Sequence, residues 1–298
     1  EFKTKNYKSF VEEASFSMVA APKQKGLDYS LMKTKIKGKE IKGLSSSVIY
    51  GPNAAGKTNI IGAMDVLRSI VLRGNIRNSE EKSSPNPAAS ALELIPNNNE
   101  SEAKPVCFEI EFYEEDGEEH KFKIHYELQI DLGTFLEEEY QRKILAEVLE
   151  VNGERVFERR EGLKVENLKV IKDYLSDITE QNAESINEIA KNSLNQEELF
   201  LTNGFKLIFS QKFTKLIVDW FANKFMVIYR ADSMQLIKRF ADPKKKAVYV
   251  EKTTDEAAKL FGINSNAVGY VVSDDEPDAK LYSVFKNMKD QKTTAVAA

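Results

Sequence analysis

Residues 106–160 carry the clearest pattern in the chain. Phe108, Ile110 and Phe112 alternate with Glu109 and Glu111. Phe122, Ile124, Tyr126, Leu128 and Ile130 alternate with Lys123, His125, Glu127 and Gln129. A period of two sends one set of side chains to the core and the other to water, which predicts antiparallel strands. Asp116-Gly117 falls near the tip of one hairpin, and Asn152-Gly153 marks a second between Glu147–Val151 and Arg155–Glu158. Phe2, Tyr7, Phe10, Phe16 and Met18 alternate more loosely and predict two strands around Asn6-Tyr7-Lys8-Ser9-Phe10. The Lys/Gly-rich stretch 22–43 reads as a loop or an edge hairpin.

Helical spacing appears elsewhere. Ile60, Ala63, Met64, Leu67, Ile70 and Val71 recur at i, i+3, i+4 and i+7, which predicts a helix from Lys57. Leu168, Ile171, Leu175 and Ile178, then Phe205, Leu207, Ile208, Phe213, Ile217 and Phe221, predict a mostly helical region over 165–223, with 180–198 exposed. Short helices are expected over 254–262 and 280–290, and a short strand over Phe225–Tyr229. Asn, Ser and Pro dominate 75–105, a long flexible loop interrupted at Leu92–Ile95. The expected division is an N-terminal lobe 1–160, a helical insertion 161–224 and a return to the core over 225–298.

Between the strand-like run Val48-Ile49-Tyr50 and the helix, residues 51–58 read Gly-Pro-Asn-Ala-Ala-Gly-Lys-Thr. This is a complete phosphate-binding loop in the required order of buried strand, loop and helix. Such a loop turns consecutive N–H groups into one concavity beside the positive end of a helix. Gly51 and Gly56 allow close approach, Lys57 can reach the β- and γ-phosphates, and the Thr58 hydroxyl can sit on Mg²⁺. The cofactors expected are therefore ATP and Mg²⁺, bound by Gly51, Pro52, Asn53, Ala54, Ala55, Gly56, Lys57, Thr58 and Asn59, with Lys57 catalytic and Thr58 the metal ligand.

Composition narrows the rest. With 298 residues, 42% of them hydrophobic, the chain can bury a sizeable core. Its net charge of −4 leaves no global nucleic-acid footprint, and the lysines of 33–39 and 244–246 read as solvated faces. A single cysteine, Cys107, excludes an intrachain disulfide and fits a reducing cytoplasm. No apolar run approaches the ~20 residues needed to span a bilayer. His120 and His125, the only histidines, do not share a strand face and form no zinc site with Cys107. An acidic partner for Mg²⁺, ordinarily an Asp after an apolar strand followed by a catalytic Glu, is not evident. In Tyr270-Val271-Val272-Ser273-Asp274-Asp275-Glu276-Pro277 a serine breaks the apolar run.

Asn6-Tyr7-Lys8-Ser9-Phe10 followed by residues 48–59, with Asn53 inside the loop and Asn59 just after it, resembles the opening of AAA-family ATP-binding proteins of the bacterial defence type. These are similar to the OLD and RecF/SMC branch of ABC-type ATPases. The resemblance covers residues 1–75, and extends more weakly to the β region and to Trp220-Phe221-Ala222-Asn223. It implies an α/β fold: a P-loop ABC-type ATPase head with a mixed sheet, an antiparallel β-subdomain and a helical insertion. It also implies two heads sandwiching ATP as a homodimer or higher oligomer, with Lys8 near the nucleotide and Gln129 or Gln141 by the γ-phosphate. In that family the signature motif, the Mg-binding Asp and the catalytic Glu follow the point where this chain ends. The chain alone is thus expected to be a weak or inactive ATP hydrolase. The expected function is the ATPase subunit of an anti-phage, abortive-infection type system controlling a nuclease or toxin, with nucleic acid reached through the complex and no membrane contact. The alternative is a RecF/SMC-like DNA-maintenance ATPase. A transporter motor is disfavoured by the long β region after the loop, and a metabolic kinase by Asn53.

Overall fold

The computed structural model describes residues 1–21, 26, 28–36, 38–53, 55–77, 92–98, 102–116, 120–135, 137, 140–175, 183–192 and 194–227. Beyond these it describes the backbone of four strands at 247–249, 267–271, 280–286 and 293–297. The chain divides into two compact units, Glu1–Val227 and Ile228–Ala298.

The first unit is built on a seven-stranded sheet in the order β2-β1-β5-β6-β7-β8-β9. Its strands are β1 (Phe2–Lys5), β2 (Ala14–Phe16), β5 (Val106–Glu115), β6 (Lys121–Asp131), β7 (Lys143–Val151), β8 (Glu154–Arg159) and β9 (Leu163–Val165). A separate hairpin joins β3 (Leu31–Ile36) and β4 (Lys39–Leu44). The alternation in β5 and β6 comes out as expected. Phe108, Ile110, Ile124, Tyr126 and Leu128 are buried. On the wet face Lys123 pairs with Glu111 at 2.6 Å and Lys3 with Glu109 at 2.8 Å. At the second hairpin Asn152 (φ 56°) and Gly153 (φ 83°) are both left-handed, the pair of conformations a type I′ turn demands.

Helix α1 (Lys57–Arg73) buries Ile60, Ala63, Val66, Leu67, Ile70 and Val71 in the same core as the sheet. Region 165–223 joins that core through Phe205, Phe209, Phe213, Ile217 and Phe221, but its helices are shorter than the periodicity predicts. Leu168–Tyr174 is 3₁₀, Ala183–Asn192 and Gln211–Asp219 are α-helical, and Leu201–Phe205 and Trp220–Lys224 are π-helical turns.

Several expectations are overturned. Every strand pairing among the described residues is antiparallel, so the mixed sheet is not found there. Val48-Ile49-Tyr50 forms no strand, and Val48 and Tyr50 are 83% and 91% exposed. A strand persists where a neighbour takes up its N–H and C=O groups, and no described strand lies beside this one. Phe225–Val227 is likewise in no strand, while residues 228 and 229 lie outside the described residues. Lys280–Lys286, expected as helix, is β12, the third strand of the second unit's sheet β10 (Ala247–Tyr249)-β11 (Ala267–Val271)-β12-β13 (Thr293–Ala297). There Tyr282, Val284 and Phe285 follow their strand preference once β11 and β13 pair with them. The helix expected at 254–262 and most of the 75–105 loop lie outside the described residues.

Candidate functional site

Residues 51–56 carry no regular structure, and α1 starts at Lys57. Gly56 provides the corner. It is left-handed at φ 84°, ψ 8°, a conformation side chains resist, and it leads directly into the helix. At the start of a helix the first N–H groups have no intrahelical acceptor; here Asn59 N and Ile60 N turn back to Gly56 O at 2.9 and 3.3 Å, and among the described residues the Lys57 and Thr58 amides have no backbone acceptor and can meet an anion. The loop closes on itself. Lys57 Nζ donates to Gly51 O at 2.8 Å and to Pro52 O at 2.6 Å, while Ala55 N donates to Pro52 O at 3.3 Å. An ammonium has three N–H groups, so one is without a partner among the described residues. Thr58 is exposed at the first turn. Ala54 lies outside the described residues.

A second turn packs against this corner. Tyr7 N donates to Phe10 O at 3.0 Å and Phe10 N to Tyr7 O at 2.9 Å, which pins residues 7–10 into a tight loop. Ser9 Oγ accepts the Asn59 amide Nδ2 at 2.7 Å. A Cβ on Gly56 would sit 2.9 Å from Ser9 Oγ and 3.0 Å from the Phe10 ring, so the corner admits only glycine. Lys8, placed near the nucleotide by resemblance, stands in this same turn. Its Nζ pairs with Glu93 Oε2 at 2.6 Å. Glu93 also bears on α1: burial, with a smaller contribution from Glu93, raises the Asp65 carboxyl above its ordinary value, opposed by Arg68.

Further along α1, Arg68 reaches the Trp220–Lys224 turn, donating from Nε to Phe221 O at 2.9 Å and from a terminal nitrogen to Ala222 O at 3.3 Å. The Trp220-Phe221-Ala222-Asn223 segment is thereby tied to the helix that begins the site. Arg68, Ser9 and Glu93 were not singled out from sequence. Only the position of Ser9 inside the Asn6–Phe10 motif pointed toward one of them.

The remaining candidates are not gathered here. Gln129 Nε2 donates to its neighbour Glu127 at 2.6 Å. Among the described residues no hydrogen bond joins Gln129 or Gln141 to residues 51–59. Asp274, Asp275 and Glu276 lie outside the described residues. Among the described residues no group of three or more His, Cys, Asp or Glu could hold a metal, and no helix is long and apolar enough to cross a membrane. An apolar cleft of about 460 Å³ lined by Phe2, Phe16, Met18, Met32, Met64 and Trp220 includes none of residues 51–59.

A glycine corner, a lysine folded over its loop and an exposed threonine at the helix start stand together at residues 51–58. The family described as "AAA domain, putative AbiEii toxin, Type IV TA system" matches residues 46–274, more than half of the chain. The chain belongs to that family, which makes it a P-loop AAA-type ATPase by class. Comparison with curated proteins and with solved structures produced no match.

Proposed function

We propose that the chain is the Mg·ATP-binding subunit of an abortive-infection type defence system, and that nucleotide binding closes a dimer of heads which holds or releases a nuclease or toxin partner. The observation that supports it most is the bridge from Lys57 to the Gly51 and Pro52 carbonyls. It keeps a cation at the mouth of a loop whose corner only glycine can form. The family's description adds the link to AbiEii-type toxins.

In this reading the Lys57 and Thr58 amides and the Lys57 ammonium hold the terminal phosphates, and the Thr58 hydroxyl would meet Mg²⁺. The metal supplies charge neutralisation on the phosphates. Lys57 would supply positive charge to the γ-phosphate, while its bonds to the Gly51 and Pro52 carbonyls keep the loop closed. Sedimentation of the chain with Mg·ATP, Mg·ADP and no nucleotide tests the reading. A shift from monomer to dimer with Mg·ATP alone supports it. A mass independent of nucleotide contradicts nucleotide-driven closure, and salt-sensitive binding of duplex DNA by the chain alone would favour the DNA-maintenance alternative.

A further inference from the structure

We propose that Ser9 and Asn59 are positioning residues for the nucleotide. Their hydrogen bond clasps the first turn of α1 to the Tyr7–Phe10 turn and so fixes the phosphate loop before any ligand arrives. The proposal rests on the nucleotide reading above. It changes the role of Asn59, which the sequence places among ligand contacts.

The loop has few other moorings. Among the described residues Lys57 Nζ and Ala55 N bond only within it. On its N-terminal side Val48, Ile49 and Tyr50 are exposed and unpaired in any strand. Among the described residues the Ser9–Asn59 contact, at 2.7 Å, is the hydrogen bond that joins residues 51–59 to a distant part of the chain, 50 positions away. The Gly56 corner leans on the same turn, with room for a hydrogen but not for a Cβ between it and Ser9 and Phe10.

The turn is a firm anchor. Tyr7 is fully buried, and its reciprocal bonds with Phe10 close the loop. Lys8 O accepts Asn97 Nδ2 at 2.6 Å, Lys8 N donates to Ile95 O at 3.0 Å, and the Lys8–Glu93 pair adds a third tie to the 92–97 segment. β1, which leads into the turn, is paired with β5. The clasp thus connects the phosphate loop to the sheet. A site held in its binding geometry spends less of its interaction free energy on ordering itself.

Calorimetric Mg·ATP affinities of the wild-type chain, Ser9→Ala, Asn59→Ala and the double variant test this. Each single variant is expected to bind about tenfold more weakly, the cost of one hydrogen bond. The double variant is expected to be no worse than either, since one contact is lost in all three. Ser9→Thr keeps the hydroxyl and should restore affinity. Melting temperatures and hydrogen exchange of the Thr58–Ile60 amides without nucleotide accompany the titrations. The expected result is near-constant melting with faster local exchange in Ser9→Ala. Weakening by Asn59→Ala but not by Ser9→Ala would make Asn59 a direct ligand contact and overturn the clasp. Unchanged affinity in both singles would overturn it as well. No binding by the wild-type chain would remove the nucleotide reading itself, and the positioning role with it.

Discussion

Glu147 Oε1 accepts the backbone N–H of Leu201 at 2.9 Å across 54 positions of sequence. Tyr126 also donates to Oε1, at 2.9 Å, and Oε2 takes the Phe200 N–H at 2.6 Å. Arg159 stands 3.9 Å away and donates to Glu198 O at 2.7 Å. A fully buried carboxylate thus caps the Leu201–Phe205 turn and joins the sheet to the helices behind it. Burial pushes the Glu147 carboxyl above its ordinary value, while the Leu201 and Phe200 amides, Arg159 and Tyr126 pull it back.

Removing that carboxylate should be costly. Glu147→Ala leaves two buried amides unsatisfied and Arg159 without its carboxylate counter-charge, a loss of about 3–5 kcal/mol. Glu147→Gln keeps one acceptor oxygen and should lose about 1–3 kcal/mol. Urea denaturation of the two variants checks the order. Equal stability of Glu147→Ala and the wild type would contradict the capping role.

Tyr126 gives the fold an alkaline limit. Its phenol is held well above its ordinary value, first by burial and then by the Glu147 carboxylate. A raised pKa means the folded state binds the proton more tightly than the unfolded chain does. The Tyr126 contribution is therefore complete below the ordinary tyrosine value of about 10 and is lost as pH rises beyond it. Melting temperature should fall above that pH, and Tyr126→Phe should flatten the fall. An identical pH profile in the variant would contradict this assignment.

Two glycines separate backbone strain from close contact. Gly153 (φ 83°) has nothing within 4 Å of where a Cβ would lie, so Gly153→Ala should cost about 1–2 kcal/mol for the left-handed backbone alone. Gly56 has the same backbone but meets Ser9 and Phe10, so Gly56→Ala should also displace the corner and abolish nucleotide binding. Denaturant midpoints with ATP titrations of both variants check this. Full binding by Gly56→Ala would show that the corner tolerates a side chain.

The one tryptophan of the chain, Trp220, stacks on Phe112 with centroids 3.7 Å apart and on Phe225 at 5.0 Å. Phe112→Ala should lose about 3–5 kcal/mol by opening that stack. Its folded-state fluorescence should shift to the red, measured before the unfolding transition.

Much of this was legible because local patterns sufficed. The β5–β6 alternation reports one wet face, Asn152-Gly153 dictates its own turn, and residues 51–58 name a phosphate loop before any fold is known. What was illegible depends on partners distant in sequence. Val48-Ile49-Tyr50 has strand-forming residues but no neighbour to pair with among the described residues. Leu281, Val284 and Phe285 fit helical spacing, yet β11 and β13 recruit them into a sheet. Phe205, Phe213, Ile217 and Phe221 look like one helical stripe, but π turns interrupt the helix where aromatic packing and the Glu147 cap hold it. Ser9 bears no mark of its own, and only folding brings it to Asn59.

The central claim is that residues 51–58 bind a nucleotide's terminal phosphates through the α1 amides and Lys57. Isothermal calorimetry of Mg·ATP against the wild-type chain and Lys57→Ala, with circular dichroism melts of both, tests it most directly. The account predicts saturable binding by the wild type, weakened at least about 100-fold in Lys57→Ala, with both chains folded. Equal affinity in the two folded chains would contradict it.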